Sequence, residues 1–98
     1  MAIRIINYQE YEKNTLRGFI TVQLQNTGLE IQGILHHKKD GKEWIYMPSR
    51  SYSVNGQQKH SEVIKFVDKN KAKAFQREVL DALREYQANG DKPNNVSF

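Results

Sequence analysis

The chain is 98 residues long, 27% charged and 38% hydrophobic, with a net charge of +4. That length makes one domain with a modest core, for which a dimer is a natural source of extra burial. The absence of cysteine excludes disulfides and thiolate metal sites, and no apolar run is long enough for a secretory signal or a membrane span, which predicts a non-membrane, cytoplasmic protein.

In chain order, Ile3 to Tyr8 is a β-rich run and the first predicted strand. Gln9 to Thr15 is polar and reads as a connection. Leu16 to Leu24 alternates with period two. Leu16, Gly18, Ile20, Val22 and Leu24 form one row, and Arg17, Phe19, Thr21 and Gln23 the other. Asn26-Thr27-Gly28 supplies turn chemistry, because Asn and Gly tolerate positive φ. Leu29 to His37 alternates again, with Leu29, Ile31 and Leu35 in one row. Gly33 inside it marks a bulge or a close backbone approach. Lys38 to Lys42 is a hairpin turn centred on Asp40-Gly41. Glu43 to Met47 is the next strand, ended or held at an edge by Pro48. Ser49 to Lys59 reads as a polar loop or short hairpin with Asn55-Gly56 at its tip, and Ser61 to Val67 as a final strand.

Asp68 is the predicted helix N-cap, since its carboxylate accepts the free amide hydrogens of the first turn. From there to about Ala88 the pattern is helical, with Ala72, Phe75, Val79, Leu80, Leu83 and Tyr86 on one stripe. Asn89-Gly90 is a helix stop. Residues 91–98, which include Pro93, read as a flexible C-terminal tail to a single domain over residues 1–90. The predicted class is α+β: an antiparallel sheet of four to five strands followed by one C-terminal α-helix packed on one face.

The chemistry lies in the strands. Lys38, Lys39 and Lys42 crowd one turn, and Arg50 and Lys59 flank the next loop. Arg17 and Phe19 share the polar row of their strand, and Trp44 and Tyr46 share a row of theirs. A sheet with one oily face and one face of Arg, Phe, Trp, Tyr, Thr and Gln is a platform on which bases stack, while lysines at its turns track phosphates. The expected nucleic-acid contacts are therefore Arg17, Lys38, Lys39, Lys42, Arg50 and Lys59 to phosphates, with Phe19, Trp44 and Tyr46 to bases. Each of these rings would serve equally well in a core or a dimer interface, and a basic turn is often simply solvated.

Other chemistries find little support. His36 and His37 are neighbours on a strand and point to opposite faces, so they cannot chelate one ion together. The carboxylates pair with no histidine or serine in a recognisable motif. No nucleophile elbow, phosphate loop or dinucleotide fingerprint is present. No enzyme activity, cofactor or metal is expected. On the helix, Lys69, Lys71, Lys73 and Arg77 crowd the N-terminal half, where the helix dipole disfavours them.

Three resemblances add to these readings. Trp44-Ile45-Tyr46-Met47-Pro48-Ser49-Arg50, followed by a polar loop with Asn55-Gly56, a strand and a terminal helix, resembles the stage V sporulation protein G (SpoVG) family. The stretch Tyr11 to Phe19, with Asp68 and Phe75-Gln76, resembles a set of small phage and prophage proteins. The SpoVG resemblance implies a small dimeric regulator that binds DNA or RNA, partly through Arg50, Lys71, Lys73 and Arg77. The order of strands then helix is also similar to the single-stranded-DNA-binding core of the coactivator positive cofactor four and its phage relatives. The expectation is a homodimer that binds single-stranded DNA in phage or bacterial replication, recombination or transcription, in the cytoplasm of a bacterium or infected host. The alternatives are a SpoVG-like regulator and a phage module that binds another protein.

Overall fold

The computed structural model describes residues 2–90, so the tail expected over 91–98 lies outside the described residues. The elements are β1 (Ile3–Lys13), β2 (Leu16–Leu24), β3 (Leu29–Lys39), β4 (Lys42–Tyr46), β5 (Ser49–Val54), β6 (Gln57–Glu62) and α1 (Lys69–Gly90). β1 to β4 form a four-stranded antiparallel meander in chain order, and β5 with β6 forms a separate two-stranded sheet. This is the expected α+β class, a four-stranded sheet followed by one C-terminal helix.

α1 lies across one face of the meander, here called the inner face. Ile5, Ile20, Val22, Ile34 and Ile45 from the strands are buried there against Phe75, Val79 and Leu83 of the helix. The helix starts where expected. Asp68 Oδ1 accepts the amides of Asn70 at 2.8 Å and Lys71 at 3.4 Å. Gln76 Oε1 accepts the amide of Ile45 at 2.9 Å, which satisfies a donor on the edge strand β4 and ties it to the helix.

Several expectations are corrected. Gln9 to Lys13 is not a connection but the second half of β1, and the turn shrinks to Asn14-Thr15. Asn14 takes a φ of 57°, which asparagine tolerates. Backbone pairing with β2 overrides the polarity of this stretch, and register shifts after Ile5 and after Glu10 absorb its extra residues. The segment Ser49 to Lys59 resolves as a hairpin. The final strand predicted over Ser61 to Val67 ends at Glu62, and 63–68 is irregular. Only Phe66 of that segment is drawn inward, with its ring 5.0 Å from that of Phe75.

Gly33 is the bulge the sequence pointed to. Ile20 pairs with Ile34 and Val22 with Ile31, so Gln32 and Gly33 together face Thr21, with Gly33 at a φ of 79°. The extra residue inverts the phase of the strand. Ile34 and His36 turn into the core, and Leu35, expected in the row of Ile31, turns to the opposite face.

Candidate functional site

The face of the meander turned away from α1, the outer face, carries the rings. Register places its residues in transverse rows, because paired residues project to the same side. Gln9, Phe19, Leu35 and Tyr46 form one row across all four strands. His37 and Trp44 form the next, and Lys39 with Lys42 closes that end of the sheet. In the other direction lie Asn7 with Thr21, and then Arg4, Gln23 and Glu30.

The rings are organised in two groups. His37 stacks on Trp44 with centroids 5.5 Å apart and planes 6° from parallel. Tyr46 meets the edge of His37 at 5.0 Å. Across the sheet, Tyr11 and Phe19 lie 5.8 Å apart. Thr15 Oγ1 and His37 Nδ1 are 2.9 Å apart, which fixes the imidazole against the tryptophan. Burial, followed by the neighbouring His36, holds the His37 pKa below its ordinary value. Tyr46 is 56% exposed and Tyr11 49% exposed, while Phe19, His37 and Trp44 are half-buried.

Of the expected contact residues, Phe19, Trp44, Tyr46, Lys39 and Lys42 thus share one face. The other four do not join them. Arg17 does not share the row of Phe19: a register shift between Leu16 and Gly18 breaks the alternation, and Arg17 lines a cleft on the helix side of the sheet. Its Nη1 donates to the carbonyl of Asn14 at 3.3 Å. Lys38, one residue out of phase with Lys39, lines the same cleft. Arg50 and Lys59 sit on the β5–β6 arm, all of whose residues are exposed. On that arm Arg50, Tyr52 and Lys59 project to one side, opposite Ser49, His60 and Glu62. The latter three border a hollow with Leu35, Tyr46 and Met47, so Arg50 and Lys59 point away from the ring-bearing face.

The inner cleft holds a polar network that the sequence did not reveal. His36 is buried, only 3% exposed. Its Nδ1 lies 2.9 Å from Tyr8 Oη and its Nε2 lies 3.0 Å from Glu43 Oε2. One tautomer satisfies both contacts: the Tyr8 hydroxyl donates to Nδ1, and Nε2–H donates to the carboxylate. Arg84 Nη2 donates to Glu43 Oε1 at 3.3 Å and brings the helix into the chain of bonds. Desolvation works to raise the Glu43 pKa, but the hydrogen bonds from His36 and Arg84, with the nearby charge of Lys38, outweigh it and hold the carboxyl below its ordinary value. Burial, with Glu10 and Glu43 nearby, pushes the Tyr8 phenol up. The hairpin register gave the one available signal, since about the Asp40-Gly41 turn Glu43 stands diagonal to His36. Among the described residues, no group of three His, Cys, Asp or Glu side chains is placed to hold a metal ion.

Comparison with known proteins returned no matching family model, no matching curated protein and no matching solved structure. Among the described residues, no helix is long and apolar enough to cross a membrane.

Proposed function

We propose that this protein binds single-stranded nucleic acid, with single-stranded DNA as the favoured ligand, along the outer face of the meander. The observation that carries the reading is the division of the sheet. The helix packs on one face, and the other carries Tyr11 and Tyr46 exposed and Phe19, His37 and Trp44 half-buried, with Lys39 and Lys42 at one end. Rings stack on bases of any sequence, and terminal lysines release counterions from phosphates. The strand runs from the lysine row across the ring rows. From Lys39 to Gln32 that path is roughly 20 Å at the rise of a β-strand, a length that suits a few unstacked nucleotides. No covalent step is required of any residue in this role, and the protein acts as a binding module in phage or bacterial DNA metabolism, inside the cell.

A labelled single-stranded oligonucleotide titrated at low and moderate salt tests the proposal. Binding that weakens steeply with salt supports it, and no binding at low salt ends it. A second reading has its own observation. Lys69, Lys73 and Arg77 recur at helical spacing and are all exposed, a basic stripe that fits a duplex phosphate backbone. Preference for duplex over single strand in competition would favour this regulator-like mode.

We also infer a homodimer. The β5–β6 arm has no covered residue, a two-stranded hairpin is marginal by itself, and Tyr52, Val54 and Val63 stay exposed on or beside it. Sedimentation of the intact chain at the monomer mass at micromolar concentration would remove this inference.

A further inference from the structure

Beyond the ring rows, away from the lysines, the outer face dips into an open groove of about 630 Å³. It is bordered by Phe19, Asn7, Thr21, Glu30, Gln32 and Gly33. The β3 bulge borders it. Gly33 takes a left-handed φ there, and nothing lies within 4 Å of the place its Cβ would occupy.

Its chemistry differs from that of the rest of the face. The groove contains one charged group, the Glu30 carboxylate, and no cation. Gln32 Nε2 donates to Glu30 Oε2 at 2.9 Å, which occupies a donor of the amide and leaves its oxygen as an acceptor. The second carboxylate oxygen adds another acceptor. The β3 wall therefore offers acceptors, and a carboxylate repels phosphate. A ligand that fits must be planar to lie on Phe19, free of negative charge where it meets Glu30, and rich in N–H donors along one edge. Among nucleobases, guanine meets this description. Its N1–H and N2–H stand side by side and match a carboxylate in the way that paired N–H donors of a guanidinium do. Thymine offers a single N–H, and adenine and cytosine offer one amino group.

We propose that this groove is a base subsite selective for guanine, placed at the end of the strand path opposite Lys39 and Lys42. The assignment rests on the single-strand reading above. Glu30 accepts from the N1–H and N2–H edge, Gln32 holds the carboxylate in position, and Phe19 supports the ring. Asn7 and Thr21 border the other side of the groove and are in place to meet the remaining polar atoms.

The test compares a thymidine oligonucleotide of about twelve nucleotides with the same oligonucleotide carrying one central dG, at constant low salt. A single dG avoids self-association of guanine runs. The dG oligonucleotide is expected to bind roughly 5- to 150-fold tighter, the discrimination of a bidentate base contact. Deoxyinosine in its place, which lacks the N2 amino group, is expected to lose most of that gain. Glu30→Gln puts a donor where an acceptor is needed, and it should abolish the preference, so that the dG and thymidine oligonucleotides bind the variant equally. Glu30 is exposed, so its replacement leaves the core untouched, which the circular dichroism of the variant checks. Equal affinity for the thymidine and dG oligonucleotides overturns the guanine subsite while the single-strand reading stands. A preference that survives Glu30→Gln overturns the role of the carboxylate. Failure of every oligonucleotide to bind at low salt overturns both readings.

Discussion

Gly18 is a position where no side chain fits. A Cβ there would lie 2.6 Å from the Gln9 carbonyl oxygen and 2.6 Å from Tyr8 Cζ. The Tyr8 ring crosses over this glycine to reach His36, the partner of Gly18 on β3. Gly18→Ala should lower stability by about 1–3 kcal/mol, because the backbone oxygen cannot step aside as a flexible side chain would. Tyr8→Phe should cost about 1–3 kcal/mol by stranding Nδ1 of a buried imidazole. Urea denaturation of the two variants measures both, and a Tyr8→Phe protein as stable as the parent would show the network to be inert. Trp44 sits on the other face and answers to another readout. Trp44→Ala should weaken single-strand binding roughly 5- to 150-fold, the loss of one stacked base, with the circular dichroism of the fold retained. If the variant unfolds instead, Trp44 is a core residue.

Strand β2 was legible from Gly18 to Leu24, where its two rows alternate without interruption and the inner row is apolar, but not at Leu16, which pairs with His37 of the outer face. The helix was legible for the same kind of reason: Asp68 caps it, and Phe75, Val79 and Leu83 mark a stripe that is the buried one. β1 was half legible, since Gln9 to Lys13 joins the sheet by backbone hydrogen bonds, which composition does not report. β3 was legible as a strand but not in phase. Gly33 announced a bulge, yet the side to which Leu35 and His36 turn depends on where the register slips. The same slippage at Leu16–Gly18 removed Arg17 from the ring-bearing face. Phe19, Trp44 and Tyr46 were correctly grouped because no bulge intervenes along their rows. At this scale the β5–β6 arm stands apart. Its residues are exposed throughout, whereas Ile20, Val22 and Ile34 of β2 and β3 are fully buried. Amide hydrogen exchange of the isolated monomer should therefore be orders of magnitude faster over 49–62 than over β2. Equal protection in the monomer would mean that the arm is held by contacts within its own chain, and protection that appears only with rising concentration would place the arm at the dimer contact.

For the whole molecule, two ionisable groups among the described residues lower stability on the acid side. His37 has its pKa below the ordinary value when folded, so the unfolded chain binds more protons, and stability falls as pH drops below about 6.5. Glu43 is also held below its ordinary value, and its contribution, present above about pH 4.3, is lost as pH falls through the folded pKa. The Tyr8 phenol is raised, which makes stability fall again above about pH 10. Thermal melts across pH should trace a plateau between these limits, and His37→Gln should flatten the step near neutrality. Single-strand affinity should move the other way on the acid side, since a polyanion beside His37 favours its protonated form. The molecule has a single tryptophan, and it lies on the uncovered ring-bearing face. Its emission, followed while a single-stranded oligonucleotide or a base-free polyphosphate is added at low salt, separates stacking from simple charge attraction. The oligonucleotide should quench or shift Trp44 emission to saturation and polyphosphate should leave it unchanged; an oligonucleotide that leaves the emission unchanged would contradict base stacking on this face.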